Sequence, residues 1–406
     1  ERHPASGPHD SQFDPEEVER LAARARRPDR SSALEVVVET ELTLLDPAGR
    51  LSYRGRDAIE LARFRSFEEV VALLWNGAPL TPWRLDDERA AALEALEVAL
   101  GPEAPDPERI AAVVATLAAH DPERDTRDPT SVRRAGAEVF AGTLTALDRG
   151  RPKVRSDERG RPKVRPAGQR TTADVEADQR TTAGAEAGQR TTAEGRTGGG
   201  VAERLWMALT DGVTKPRAEQ TKALDAALIL LADHELAAST FAARVAASAW
   251  AGPYRVILAG LGPLGGALHG GAGLEVEALL DEVTAGADPG AALDARLGAA
   301  GPVPGFGHRV YRDRDPRADH LLARLSPDPL AARLLDAAAE RGLPAPNVDF
   351  ALAALVRAHG LRPGSAATIF TVARIAGIVA HALEEYEHRL RFRPRASYVG
   401  PTPPAP

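Results

Sequence analysis

The sequence predicts an all-α protein, and three observations lead to that class. From Asp57 onward, apolar residues recur at helical spacing in almost every segment. Strand signals are concentrated in one stretch, residues 35–53. The chain has 406 residues, 43% of them hydrophobic, which allows long helices to be buried in two or three domains.

Residues 1–13 are polar and read as loose. Asp14-Pro15-Glu16-Glu17 predicts a short helix through Leu21 and Ala22, because Asp caps, Pro fits the first turn and acids favour that end of the dipole. Residues 35–53 read as extended, with many β-branched side chains and a turn at Asp46–Gly49. Ser66-Phe67-Glu68-Glu69 is a capping box, and Asn76-Gly77 closes the helix it opens. Amphipathic runs predict further helices over 85–100, 107–119, 131–147, 203–210, 220–232, 237–251, 274–285, 327–341, 349–359 and 365–388.

One segment has no such pattern. Gly150–Arg155 recurs as Gly160–Arg165, and Gln169–Ala173 recurs at 179–183 and 189–193. These units carry few large apolar residues, so stacking them would bury little. Residues 149–200 therefore read as a disordered, expanded insert in a surface loop, with a solvated basic start.

Composition excludes several classes. With no cysteine there is no disulfide, thiolate metal site or cysteine nucleophile. A net charge of -7 gives no overall field for nucleic acid. The polar N-terminus does not read as a signal peptide, and a chain beginning at Glu1 reads as processed or as a fragment. The longest uncharged stretch, Val256–Leu274, holds seven glycines and a histidine and reads badly as a membrane span. A cytoplasmic protein without a membrane partner is expected.

Three motifs concentrate chemistry. Leu258–Gly273 holds a literal G-x-G-x-x-G at Gly260, Gly262 and Gly265, after residues 254–259 that would pass for a strand. A dinucleotide site is one reading. The other is a glycine-lined wall where backbone approaches a ligand beside His269. Val303–Arg317 brings Gly305 and Gly307 to His308 among Arg309, Arg312, Arg314 and Arg317, which suits an anion or an exposed basic loop. In Leu343–Phe350, Asp349 reads as a helix N-cap or as a base. A lone His234 usually belongs to a core. His381, Glu385 and His388 share a helical face with metal-ligand spacing but lack an open-site motif, so no metal is assigned. Ser239 has no G-x-S-x-G context for a hydrolase.

In this order, Ala232-Asp-His-Glu235, Leu268-His-Gly-Gly-Ala272, Gly305–Tyr311, Asp315-Pro-Arg-Ala318, Pro346–Phe350, Arg374 and Arg393-Pro-Arg395, with Leu51–Ala62 before them, resemble the citrate synthase family. The resemblance runs from about residue 35 to 400, apart from the insert. It implies a two-domain helical fold. The large domain would comprise 35–148, 201–273 and 373–400, the small domain 274–372, and 401–406 a tail.

The resemblance further implies condensation of acetyl-coenzyme A with oxaloacetate in a homodimer, with coenzyme A thioester as substrate and no separate cofactor. Asp349 would take the methyl proton, His269 would hydrogen-bond the thioester oxygen, and His308 would serve the oxaloacetate carbonyl. His234, Arg317, Arg374 and Arg393, the last from the partner subunit, would hold oxaloacetate. Val303, Pro304, Gly305, Phe306, Gly307, Arg312 and Asn347 would face coenzyme A. The chemistry fits these residue types: an enolising thioester needs a base and a donor at its oxygen, and arginine forks bind carboxylates. The glycines around the two histidines suit a closing hinge.

Ala267, Gly273 and Ile378 depart from the usual proline, asparagine and tryptophan, so acyl pocket size is open. A 2-methylcitrate synthase using propionyl-coenzyme A and a non-catalytic DNA-binding sensor are the alternatives. Ser11–Ala22 resembles the end of a MerR-like helix-turn-helix unit, which makes 1–34 a remnant or linker. No nucleic acid partner is expected of this truncated chain.

Overall fold

Capping chemistry written in the sequence decides where most helices begin. The computed structural model describes residues 2–3, 12–13, 37–46, 49–77, 83–149, 199–210, 215–266, 269–298, 302–326, 328–396 and 400. The helix expected over 14–22, nearly all of the segment resembling a helix-turn-helix and the repeats at 150–198 lie outside them.

Two units are distinguished, Glu1–Thr40 and Glu41–Pro406. In the first, Arg2–His3 (β1) pairs antiparallel with Gln12–Phe13 (β2), where a loose segment was expected. Backbone pairing needs no apolar side chain, so polarity alone misled there.

The second unit opens with a meander of Thr43–Asp46 (β3), Arg50–Tyr53 (β4) and Arg56–Asp57 (β5). Gly49, at φ 94°, closes the first hairpin by donating to the Asp46 carbonyl at 2.9 Å. Helices follow: Ala58–Phe64 (α1), Phe67–Leu74 (α2), Asp87–Leu100 (α3), Asp106–Ala119 (α4), Pro129–Arg149 (α5), Val201–Leu209 (α6), Ala218–Leu231 (α7), Ala238–Ser248 (α8) and Pro253–Leu261 (α9). After a 3-10 turn at Gly262–Gly265 come Ala272–Thr284 (α10), Pro289–Leu297 (α11), Pro316–Leu322 (α12), Pro329–Glu340 (α13), Val348–His359 (α14) and Ser365–His388 (α15). The capping box is present: the Ser66 hydroxyl accepts from Glu69 N–H, and the Glu69 carboxylate accepts from Ser66 N–H.

Besides α1, which lies in the helical pattern from Asp57 onward but received no range of its own, three helices were not read from the sequence. Residues 254–259, which would pass for a strand, form α9, with Pro253 at its first turn and Tyr254, Val256, Ile257, Gly260 and Leu261 buried. That corrects the dinucleotide reading, because no strand precedes the glycines and a 3-10 turn follows instead of a phosphate-cradling helix. The other two, α11 and α12, begin at Asp288-Pro289 and Asp315-Pro316, where each aspartate accepts a first-turn N–H. The same Asp-Pro signal starts α13 at Asp328.

Buried apolar side chains fall into two clusters. The larger surrounds α15, which is buried from Ser365 to Tyr386. That helix is long and apolar enough to cross a membrane, but 94% of its apolar window is buried inside the protein, as befits a helix that is apolar on all sides. The smaller cluster runs from Val276 to Ala354, within the span the family resemblance assigns to a small domain. Helix α14 serves both. Val348, Ala351, Leu352, Leu355 and Val356 face the larger cluster, and Phe350, Ala353 and Ala354 face the smaller. Two apolar stripes at helical spacing hold it from both sides, and Asp349 sits in its first turn.

Gly377, inside α15, donates to the Ala232 carbonyl at 2.9 Å. A Cβ there would overlap that carbonyl and Asp233 Oδ1. Gly377→Ala is expected to destabilise the fold by about 1–3 kcal/mol through overpacking. Urea unfolding checks this, and an unchanged midpoint would show that the α7–α15 contact yields without cost.

Candidate active site

The site is assembled from ends of elements. His234 lies in the turn between α7 and α8, shaped by the fully buried Asp233, whose carboxylate accepts from Thr43 Oγ1 at 2.6 Å and Glu235 N–H at 3.1 Å. His269 follows the glycine turn and opens α10. His308 ends the loop before α12, Arg317 is in the first turn of α12, Asp349 in that of α14, and Arg374 is midway along α15.

Backbone lacing fixes two of these groups together. Gly307 N–H donates to the Ala345 carbonyl, and Asn347 N–H to the Gly305 carbonyl, each at 2.9 Å. Gly305 and Gly307 hold φ of 86° and 74°, and a Cβ on Gly305 would strike Val276. The Asn347 side chain is committed to this joint. Its Oδ1 accepts from Asp349 and Phe350 N–H, and its Nδ2 donates to the Gly307 carbonyl at 2.9 Å. Asn347, not Asp349, is thus the cap of α14, which leaves the Asp349 carboxylate available.

The His234 and His308 rings meet edge to face at 5.1 Å, and Tyr311 lies 4.7 Å from His308 and 5.7 Å from His234. His308 Nδ1 accepts from Val310 and Tyr311 N–H at 3.0 and 3.2 Å. In the neutral ring the proton therefore sits on Nε2. His269 Nε2 is 2.8 Å from Ser239 Oγ, and Phe370 packs edge-on against its ring. Ser239 is fully buried and its hydroxyl is engaged with His269, which makes it a holder of that ring.

Electrostatics ties the cluster together. Burial, then the charge of Arg374, pulls His269 down to about 4. Burial, then Arg317, does the same for His308. Burial with Arg317 and Arg374 takes His234 well below its ordinary value. All three rings are neutral donors or acceptors near pH 7. Burial pushes Asp349 up to about 6, against the pull of Arg317.

The two buried arginines differ. Arg317 is paired with Asp315 through Nε at 2.9 Å and Nη2 at 2.8 Å, and Asp315 also accepts from Val348 N–H at 3.0 Å, tying α12 to α14. Arg374 donates Nε to the Leu231 carbonyl at 3.0 Å and lies over the Phe370 face. Its Nη1, like His234 Nε2, is buried without a hydrogen-bond partner.

The structure therefore brings together His234, His269, His308, Arg317, Asp349 and Arg374. Val303, Gly305 and Phe306 are buried in the loop, Pro304 and Gly307 half-buried, and Arg312 is exposed beside it. Arg393 is exposed on the segment after α15, outside the cluster. His381, Glu385 and His388 surround a cation that is already present. Fully buried Arg244 contacts His381 Nδ1 at 2.9 Å, Glu385 at 2.9 Å and His388 Nδ1 at 3.3 Å, with Glu384 also bound. Ser239, Tyr311 and Asp315 were missed as site residues.

The chain matches the family model "Citrate synthase, C-terminal domain" over residues 33–395. It belongs to the citrate synthase family. It is 32% identical over 383 residues to citrate synthase 2 of Bacillus subtilis (strain 168), covering 86% of this chain and 90% of that protein. It is 30% identical over 400 residues to the citrate/2-methylcitrate synthase of the same organism, covering 90% and 95%. Its fold is shared with a Thermoplasma acidophilum citrate synthase solved as a ternary complex with carboxymethyl coenzyme A and oxaloacetate, at a TM-score of 0.66 and 24% identity, covering 91% of this chain and 95% of that one. As a member of this family the protein is an enzyme, a transferase.

A raised carboxyl has a stability consequence of definite sign. Because Asp349 titrates near 6 in the fold and near 3.8 ordinarily, the fold favours its protonated form. That stabilisation is complete below about pH 3.8 and lost as pH rises through about 6. At pH 7.5, Asp349→Asn is expected to unfold later than wild type by roughly 1–3 kcal/mol, with the gap closing towards pH 4. Urea midpoints against pH check this, and a less stable variant at pH 7.5 would contradict it.

Proposed function

We propose that the protein condenses acetyl-coenzyme A with oxaloacetate and hydrolyses the resulting citryl-coenzyme A to citrate and coenzyme A. The observation that carries this reading is the cluster itself: two buried guanidinium groups, three neutral histidines and one carboxylate of raised pKa.

Oxaloacetate brings two carboxylates. Arg374 Nη1 and His234 Nε2, which lack partners, receive one end of this substrate, with Arg317 supplying a second buried charge. Arg393 of the partner subunit completes the set in a cytoplasmic homodimer. Asp349, ionised near pH 7 yet more basic than an exposed carboxylate, takes a proton from the acetyl methyl. A Ser239 hydroxyl donating to His269 Nε2 leaves the proton on Nδ1, which hydrogen-bonds the thioester oxygen as negative charge develops there. The enol carbon then bonds to the keto carbon of oxaloacetate, and His308 Nε2–H hydrogen-bonds the keto oxygen and gives it the proton that makes it the citryl hydroxyl, a proton His308 regains from water. Water next cleaves the thioester in the same site and frees the coenzyme A thiol. The loop 303–307, Arg312 and the Asn347 joint face coenzyme A, and the exposure of Arg312 suits a contact with its phosphate. The large domain, 35–148 with 201–273 and 373–400, and the small domain, 274–372, close over the reaction.

Propionyl-coenzyme A is the second reading, favoured by the similarity to a protein named for both products. The residues that act are the same, and only the acyl pocket near Phe370 and His269 separates the two. A non-catalytic sensor would not need a base beside two histidine donors.

Release of coenzyme A thiol, followed with oxaloacetate and either thioester, tests the reading. Fast oxaloacetate-dependent release with acetyl-coenzyme A is expected, falling ~10²-fold or more in Asp349→Asn. Preference for propionyl-coenzyme A would move the assignment to methylcitrate synthesis. No release with either thioester would end the enzymatic reading. Because Asp349 must be ionised, kcat/KM is expected to fall about tenfold per pH unit below about 6, with no matching loss from the histidines until far lower pH.

A further inference from the structure

Tyr311 is a large polar side chain that the steps above do not use. It is 2% exposed, and its hydroxyl has no hydrogen-bond partner. Its ring is held from several sides. It stacks tilted on His308 at 4.7 Å, meets the edge of His234 at 5.7 Å and lies 5.3 Å beneath the Arg317 guanidinium. Buried hydroxyls almost always have partners, and one left bare costs about 1–3 kcal/mol. Bare side-chain atoms occur elsewhere too, Thr143 Oγ1 and His359 Nε2 among them, but Tyr311 Oη, His234 Nε2 and Arg374 Nη1 belong to one cluster that holds two buried guanidinium groups. One anionic ligand would satisfy these three together.

We infer that the Tyr311 hydroxyl donates a hydrogen bond to a carboxylate oxygen of the bound four-carbon dicarboxylate, as a direct substrate contact beside His234 and Arg374. The inference rests on the function proposed above. A carboxylate is the better acceptor than the keto oxygen for two reasons. The keto oxygen belongs to His308 Nε2–H, and the Tyr311 ring packs against Arg317, one of the two buried cations that draw the carboxylates in. Burial holds the phenol at about 12, so it is a neutral donor throughout the working pH range.

Tyr311→Phe removes only the hydroxyl and keeps the ring that packs on His308 and Arg317. In the intact 406-residue chain, KM for oxaloacetate and the calorimetric Kd for oxaloacetate are both expected to rise about 10- to 100-fold, the range for a bond to a charged group. The kcat and the KM for the acyl thioester should stay within about threefold. Tyr311→Leu, which also removes the ring, is expected to lower kcat as well by loosening His308. An unchanged Kd for oxaloacetate in Tyr311→Phe overturns the inference, as does a fall in kcat with KM and Kd unmoved, which would put the hydroxyl at the reacting centre. Urea midpoints show whether Tyr311→Phe is folded. If wild type binds oxaloacetate but never turns over, the catalytic reading fails alone and the Kd comparison still decides the hydroxyl. If wild type does not bind oxaloacetate at all, both fail.

Discussion

A buried positive charge without an ion pair sets the terms for the rest of the structure. Arg374 stands in the middle of a helix that is buried on all sides, and among the described residues it forms no salt bridge. Burying a cation costs several kcal/mol unless something repays it. The protein offsets part of that cost with the Leu231 carbonyl and the Phe370 ring face, and the nearby Asp233 carboxylate adds a favourable field. Nη1 remains bare. An apolar side chain would avoid that cost, so the arginine fits the function proposed above, in which a substrate carboxylate completes the contact.

The acid–base groups depend on backbone more than on side chains. His308 and Asp349 are 41 positions apart in the chain, yet the loop carrying one is laced to the strand-like approach of the other through Gly307, Ala345, Gly305 and Asn347. Asp315 adds a second tie between Arg317 and the start of α14. Two backbone N–H groups fix the tautomer of His308, and Ser239 holds His269. Burial and the nearby arginines keep all three histidines neutral, while burial raises Asp349 against the pull of Arg317, so in the proposed reaction base and donors need no change of protonation beforehand.

Much of this was legible from sequence because the signals were local. The capping box at Ser66, the amphipathic runs and the left-handed glycines at 305 and 307 act within a few residues. So did the ordered motifs that carry His269, His308 and Asp349. What was not legible depended on contacts across the chain. Residues 254–259 carry an apolar run too short to separate strand from helix by periodicity, and only the Pro253 start and the packing of Gly260 on Ile378 decide it. Ser239 reaches His269 across 30 positions. Arg244, within an alanine-rich helix, gave no sign that it fills the space between His381, Glu385 and His388, which removes the reason to look for a metal there. Asp315 appeared only as part of a motif, although the Asp-Pro pair already announced a helix start.

The most direct test of the central idea concerns Arg374 alone. Urea unfolding would be followed for wild type and Arg374→Met, each with and without oxaloacetate at about a hundred times the wild-type Kd. Without ligand, the variant should equal or exceed wild type in stability, since methionine removes an unpaired buried charge at similar length. With ligand, wild type should gain about 2.7 kcal/mol and the variant almost nothing. Equal gains in the two proteins, or a variant that unfolds far earlier than wild type without ligand, would contradict a cation buried for the sake of its substrate.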